Sequence, residues 1–348
     1  MRNMNFIGWD VGGAHLKVAC LDMSGKVNFI EQYASPLWKG VDCLEELFPK
    51  TINELPESDN VHALTITAEL ADIFNSREEG VHSLINLFEK SLGKDVNLYA
   101  LDNGLLNLDV ARNKTEQIAS ANWHVSSSFA ASTVGTGVFI DVGSTTTDII
   151  PFHNNQLMNK GFDDQSRLRC DELVYTGVIR TSLMALANKV PFNGDWQNIA
   201  AEHFATTADV YRILSCLNEE DDLMDAADGK AKDIKGSMQR LARMVGADND
   251  NSVDEQCWYQ LAEFYREKQL QLISNALLRV ISNLPNKNIK LVAAGTGRFL
   301  VKEIARRLNL SCIDFSSLCS SDAQFEHKCN VCAPAVAVAQ LNRQLRLS

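Results

Sequence analysis

The chain has 348 residues, 45% of them apolar and 22% charged, with a formal net charge of −11 at pH 7. It is long enough for two cores, because a single core usually stops growing at about 250–300 residues. The composition excludes a fibre or a disordered chain, and the acidic balance excludes broad binding to a nucleic-acid backbone, which needs a basic surface.

No stretch approaches the roughly 20 apolar residues that span a bilayer. The expectation is therefore a cytoplasmic protein whose partners are small-molecule substrates, with neither nucleic acid nor membrane among them. A homodimer is compatible with the sequence, which does not fix the oligomeric state. The nine cysteines are an odd number scattered among apolar segments, which suits reduced thiols better than a disulfide framework. Cys329 and Cys332 form the one Cys-x-x-Cys pair. A zinc site needs about four ligands, so this pair alone reads as packing.

Taken in order, Asn5 to Asp10 reads as a strand, Gly12-Gly13 as a turn and His15 to Asp22 as a second strand. Ser24-Gly25 then turns the chain into a third strand, Lys26 to Tyr33. His62 to Thr67 is a strand running into Ala68-Glu69, and Gly80 to Leu92 is an amphipathic helix. At Gly137 the opening pattern returns: strand Val138 to Asp141, turn Gly143-Ser144-Thr145, strand Thr146 to Phe152, turn Asn154-Asn155, strand Gln156 to Lys160. This repeated unit predicts an α/β fold of two similar lobes with a cleft between them. The expected lobes are residues 1–130 with 312–348, and residues 137–311. Further on, Glu172 to Arg180 reads as a helix start or turn, Glu202 to Leu217 and Asp254 to Ser282 as helices, and residues 218–252 as a flexible acidic insertion. Strand Ile289 to Ala293, the Gly295-Thr296-Gly297 loop and helix Arg298 to Leu308 close the second lobe.

The two copies align residue for residue, Asp10 over Asp141, Gly12 over Gly143 and Lys17 over Asp148. Each puts a carboxylate at a strand end and a glycine two residues on, where backbone N–H groups can meet an oxygen-rich anion and the carboxylate a metal. Gly12, Gly13, Gly143, Ser144, Thr145, Thr146 and Thr147 are the candidate phosphate contacts. Gly295, Thr296, Gly297 and Arg298 join them, because a glycine-rich loop entering a helix presents free amides and the positive end of a dipole. Asp10 and Asp141 are the candidate ligands for Mg²⁺ or another divalent cation, with Lys17 on phosphate oxygens and Asp148 as a second carboxylate. His124 suits a general base, and Glu69, Asn122, Glu172, Tyr175 and Arg180 are candidate substrate contacts. The bland alternatives are ordinary turns, solvated strand charges and a structural histidine.

The paired Asp-x-Gly turns and the late Gly-Thr-Gly loop resemble those of the superfamily that holds actin, Hsp70 chaperones and sugar kinases. The resemblance implies an actin-like ATPase (ribonuclease H-like) fold. More narrowly, the chain resembles the hydantoinase/oxoprolinase-related proteins found with tetrahydromethanopterin-linked one-carbon genes. The stretches that carry this include Gly8-Trp-Asp-Val-Gly-Gly-Ala-His-Leu-Lys17, Ser120-Ala-Asn-Trp-His124, Asp141-Val-Gly-Ser-Thr-Thr-Thr-Asp148, Glu172-Leu-Val-Tyr-Thr-Gly177 and Cys332-Ala-Pro-Ala-Val-Ala337. Archaeal members of that family join an aminomethylfuran-methyl diphosphate to the phenol of a glutamylated tyramine and expel pyrophosphate. The resemblance implies an aryl-ether-forming transferase of methanofuran biosynthesis, with His124 or Asp148 as base; no residue decides between tyramine and tyrosine. An ATP-dependent kinase or ATPase, with ATP on the same loops, and a non-catalytic nucleotide-gated scaffold are the alternatives.

Overall fold

The computed structural model describes residues 4–69, 71–250, 253–285 and 288–347. Its contacts divide the chain into two units, residues 1–136, 152–158 and 314–348 in one and residues 137–151 and 159–313 in the other.

The first unit opens with β1 (Met4–Gly12), β2 (His15–Leu21) and β3 (Lys26–Ala34), an antiparallel meander. Helix α1 (Asp42–Glu54) leads to β4 (Asp59–Thr67), and α2 (Arg77–Leu92) leads to β5 (Val96–Tyr99). Both β4 and β5 run parallel to β1, as strands joined through helical crossovers do. Then β6 (Leu105–Asn107), the short helices α3 (Leu108–Ala111) and α4 (Thr115–Ile118), and α5 (Asn122–Val134) complete this stretch.

Alternation along β1 sorts its two faces. Trp9 lies in the α1/α2 layer, with its ring centroid 5.0 Å from that of Phe48, which itself meets Phe88 at 5.8 Å. Gly8 points the other way, and a Cβ there would sit 2.0 Å from the carbonyl oxygen of Ala335. Only glycine lets the C-terminal helix lie this close to the sheet.

The second unit begins with β7 (Gly137–Val142) and β8 (Thr147–His153); the last two residues of β8 and the short β9 (Gln156–Leu157) belong to the first unit. Next come α6 (Asp164–Cys170), β10 (Leu173–Val174) and the hairpin β11 (Lys189–Phe192) with β12 (Asp195–Asn198). Helices α7 (Thr207–Ile213), α8 (Ile234–Met244) and α9 (Glu255–Ser282) follow. Then β13 (Lys290–Ala294), parallel to β7, α10 (Arg298–Leu308) and β14 (Ser311–Asp314) complete a sheet of order β10-β8-β7-β13-β14. The chain returns to the first unit through β15 (Ser320–Ser321), α11 (Glu326–Val331) and α12 (Ala333–Leu347), giving a seven-stranded sheet of order β15-β3-β2-β1-β4-β5-β6.

Several segments differ from the sequence expectation: the strand expected over residues 156–160 ends at Leu157, and residues 172–180, expected as a helix start or turn, carry β10 at Leu173–Val174. The helix expected over Glu202–Leu217 is confined to Thr207–Ile213, because Thr206 and Asp209 form a reciprocal capping box at its start. The acidic stretch expected to be a flexible insertion contains α8 and is tied by ion pairs up to Arg243; its last two residues, 251 and 252, lie outside the described residues. Arg240 is fully buried, with Nε 2.8 Å from Asp209 Oδ1 and Nη1 3.0 Å from Asp228 Oδ1, and Arg212 pairs with Asp222 and Glu219. Among the described residues no helix is long and apolar enough to cross a membrane.

Candidate active site

In open α/β sheets, ligands bind beyond the carboxyl ends of the parallel strands. In the first unit these ends belong to β1, β4 and β5, and Asp10, Lys17, Glu69, Asn122 and His124 lie on or just beyond them. Register partners across neighbouring strands share a face, so Lys17, Asp10 and Thr65 form a polar row across β2, β1 and β4. Lys17 Nζ lies 3.8 Å from Asp10 Oδ2. The Thr65 hydroxyl is buried and has no hydrogen-bond partner among the described residues. Gly12, the register partner of Thr67, and Gly13 are half-buried and carry the chain from β1 into β2.

Beyond β4 the buried Glu69 accepts a 2.6 Å hydrogen bond from the hydroxyl of Ser120. Ser120 has φ +51°, a conformation uncommon outside glycine. Directly after it, the Ala121 N–H donates to the carbonyl of Ile66 at 3.3 Å, which fixes the start of α5 to the end of β4. Asn122 is the first residue of α5 and half-buried.

His124 follows in the first turn, buried, with Nδ1 2.7 Å from the Tyr99 hydroxyl and Nε2 3.3 Å from Asp102 Oδ1. Burial pushes the Tyr99 phenol up to about 12; a hydrogen bond with Ser128 opposes that rise and the Asp102 charge adds to it. Thr65, Tyr99, Asp102 and Ser120 were not singled out as site residues from the sequence. The signal available for the middle two was a short apolar run, Val96 to Tyr99, followed by Asp102-Asn103-Gly104 as a turn.

The second unit builds a glycine-lined loop cluster at the carboxyl ends of β7 and β13, where Asp141 and Ala294 are register partners. The turn after β7 closes through the Gly143 N–H, which donates to the carbonyl of Thr146 at 2.9 Å. Ser144, Thr145 and Thr146 are half-buried on it, whereas Thr147 is buried and donates to the carbonyl of Thr176 at 2.7 Å. The N–H groups of Ile179 and Arg180 both reach the Ser144 carbonyl, at 3.1 and 2.9 Å. The Arg180 side chain is exposed, as is Tyr175.

Gly295 has φ +81°, and a Cβ on it would lie 2.3 Å from Asp141 Oδ1. The Gly297 N–H donates to Val142 O at 2.8 Å, Thr296 between them is half-buried, and Arg298 starts α10. Anions suit such a helix start.

Two expected site carboxylates have protein partners that the sequence did not reveal. Asp148 Oδ1 lies 2.5 Å from Nη2 of the buried Arg167. Glu172 accepts from the N–H groups of Lys160 and Gly161, at 2.6 and 2.9 Å. Among the described residues no group of three or more His, Cys, Asp or Glu side chains is placed to hold a metal ion.

Residues 60–344 match the hydantoinase/oxoprolinase family. A protein of Methanocaldococcus jannaschii named (4-{4-[2-(gamma-L-glutamylamino)ethyl]phenoxymethyl}furan-2-yl)methanamine synthase is 32% identical over 338 residues, 96% of each chain. A Methanococcus vannielii protein of the same name is 34% identical over 175 residues, which are 50% of this chain and 77% of that one. Among solved structures, a ROK family glucokinase from Streptomyces griseus superposes with a TM-score of 0.51 at 14% identity, covering 98% of this chain and 99% of its own. At that identity the likeness bears on fold alone, and the fold is that of the sugar kinases and their actin-like relatives.

Proposed function

The chain belongs to the hydantoinase/oxoprolinase family, and we propose that it is the methanofuran-pathway transferase that joins an aminomethylfuran-methyl diphosphate to the phenol of a glutamylated tyramine or tyrosine. The phenol oxygen bonds to the furfuryl carbon, the bond from that carbon to the diphosphate oxygen breaks, and pyrophosphate leaves with the electron pair. The observation that carries this reading is the full-length likeness, over 96% of both chains, to a synthase whose name describes a phenoxymethyl-furan product.

The residues at the β1, β4 and β5 ends offer what this chemistry requires. A phenol with an ordinary pKa of about 10 is a poor nucleophile at neutral pH and needs a base. His124 fits that role better than Asp148, one of whose oxygens is already engaged by Arg167. A departing diphosphate needs its developing charge matched, and Lys17 supplies a cation beside Asp10. Strands stand about 4.8 Å apart, so the ends of β1 and β5 lie about 10 Å apart, room for a diphosphate at one and a phenol at the other. We assign Glu69 and Asn122 to the substrate between them.

The donor set at Asp10 fits a hard cation: a carboxylate in register with a buried hydroxyl that has no partner among the described residues. Mg²⁺ commonly keeps waters and leans on one or two carboxylates plus substrate phosphates, so it needs no group of three protein ligands. When bound, it supplies charge neutralisation at the diphosphate oxygens. Asp10 would hold it, and Asp141 is the equivalent carboxylate of the second unit. Gly143, Ser144, Thr145 and Thr146, with Gly295, Thr296, Gly297 and Arg298, would hold phosphate oxygens; ATP phosphates suit the same loops.

The test is direct. Purified protein with Mg²⁺, the furanmethyl diphosphate and γ-glutamyltyramine should release pyrophosphate and an ether of the summed mass in equal amounts, with no need for ATP. Steady formation of ADP from ATP, with no ether, would instead favour a kinase or ATPase.

A further inference from the structure

The turn between β7 and β8 is shaped by the segment that follows β10. The Gly143 carbonyl accepts from the Val178 N–H at 3.0 Å, and the Ser144 carbonyl accepts from the N–H groups of Ile179 and Arg180 at 3.1 and 2.9 Å. In a planar trans peptide the C=O and the N–H point opposite ways. The Ser144 carbonyl faces this segment, so the Thr145 N–H points away from it and has no hydrogen-bond partner among the described residues. Gly177 covers one face of that same peptide: a Cβ on it would lie 2.4 Å from both the Ser144 carbonyl carbon and the Thr145 nitrogen.

Gly177 is in turn held from the core. Its N–H donates to Thr181 Oγ1 at 2.8 Å, and its carbonyl accepts from Thr207 Oγ1 and Gln269 Nε2, both at 2.8 Å, with Thr181 Oγ1 further off at 3.2 Å. Gln269 lies on α9, is fully buried, and donates a second bond to Thr176 Oγ1 at 2.8 Å. Chemistry sets the orientation of its amide, since a backbone carbonyl can only accept and so must meet the NH2 group. Its Oε1 then accepts from the buried Tyr211 hydroxyl of α7, and burial pushes that phenol up, so it keeps the proton it donates. An apolar residue would serve packing alone, because a buried amide is costly unless its partners are all in place.

We infer that Gln269 is a positioning residue for the turn after β7: it fixes Gly177, and Gly177 fixes the peptide between Ser144 and Thr145, so that the Thr145 N–H and the hydroxyls beside it meet phosphate oxygens. This rests on the assignment of Ser144, Thr145 and Thr146 to phosphate oxygens made above. Gln269 touches neither ligand nor reacting atoms; it acts through the backbone it holds. A preset turn favours the bound phosphate in ground state and transition state alike, and such uniform binding shows in KM rather than in kcat.

The substitutions are Gln269→Met, which keeps the length of the side chain and removes its donors, and Gly177→Ala, which presses on the turn from the other side. Leu277→Ala, at a fully buried position about two turns further along α9, is the packing control. Three readouts are taken on the full-length protein: calorimetric affinity for pyrophosphate with Mg²⁺, amide hydrogen exchange of residues 143–147 without ligand, and the urea midpoint. Gln269→Met and Gly177→Ala should each weaken pyrophosphate binding about tenfold, the worth of about one charge-assisted hydrogen bond. Both should speed exchange over residues 143–147 and raise KM for the furanmethyl diphosphate with kcat little changed. Leu277→Ala should lower the urea midpoint while leaving affinity and exchange as in the parent. The inference is overturned if Gln269→Met leaves either affinity or exchange unchanged, or if Leu277→Ala weakens pyrophosphate binding as much. Should the parent itself bind no pyrophosphate, the phosphate assignment falls and the inference with it; a parent that binds, beside a Gln269→Met that binds equally well, sinks the inference alone.

Discussion

Gly295→Ala tests the second unit's loop cluster. An alanine at φ +81° is strained by about 1–2 kcal/mol. Its Cβ would also lie 2.3 Å from both Asp141 Oδ1 and Val142 O. The loop cannot retreat freely, because the Gly297 N–H is bound to that same Val142 carbonyl at 2.8 Å. Overpacking of this kind costs about 1–3 kcal/mol, and the stiffer unfolded chain returns about 0.4–1 kcal/mol. The net expectation is a loss of about 2–4 kcal/mol. Gly246 is the control: it has φ +70° with nothing within 4 Å of an added Cβ. Gly246→Ala should therefore cost only about 1 kcal/mol. Urea midpoints measure both variants. Turnover should fall about 100-fold in Gly295→Ala, where the Asp141 carboxylate is displaced, and hold in Gly246→Ala. Equal losses of stability and activity in the two variants would refute the contact between Gly295 and Asp141.

Asp10→Asn should lower ether formation about 10²–10³-fold; chelation by EDTA should abolish turnover and added Mg²⁺ restore it. Arg167→Met should destabilise by about 3–5 kcal/mol, because it leaves the half-buried Asp148 carboxylate without its guanidinium, and the Arg167→Met/Asp148→Asn double variant should recover much of the loss in urea denaturation. His62 accepts a hydrogen bond from the indole of Trp9 at 3.1 Å, and burial pushes it from 6.5 down to about 4, with the Asp95 charge opposing. Below pH 6.5 the unfolded chain binds a proton that the folded chain refuses until about pH 4. Stability is therefore full above pH 6.5 and falls by up to about 3 kcal/mol as pH drops to 4, a slope that urea midpoints should show and His62→Gln should flatten.

The sequence made the repeat visible because each copy of the hairpin carries its own local turn chemistry. Asp10 and Asp141 sit at strand ends as expected, and the long α9 and α10 lie within a residue of their expected bounds. Pairings made by the tertiary fold were not legible. Tyr99 and Asp102 meet His124 across more than twenty residues only because β5 lines up beside β4 and α5 starts where β4 ends. Arg167, Arg212 and Arg240 count as surface residues in any hydrophobic pattern, yet all three are buried against carboxylates. That is why the stretch after α7 looked like an acidic loop: its charges are matched from neighbouring helices rather than by solvent.

The account distinguishes alkyl transfer from the phosphoryl transfer of sugar kinases by the bond that breaks. The decisive measurement places ¹⁸O at the bridging oxygen between the furfuryl carbon and the diphosphate, and follows it by mass spectrometry through one turnover. Carbon–oxygen cleavage predicts that the label leaves entirely with pyrophosphate and that the ether carries only the phenol's oxygen. Label retained on the furan-bearing product, or turnover that proceeds only with ATP, would contradict it.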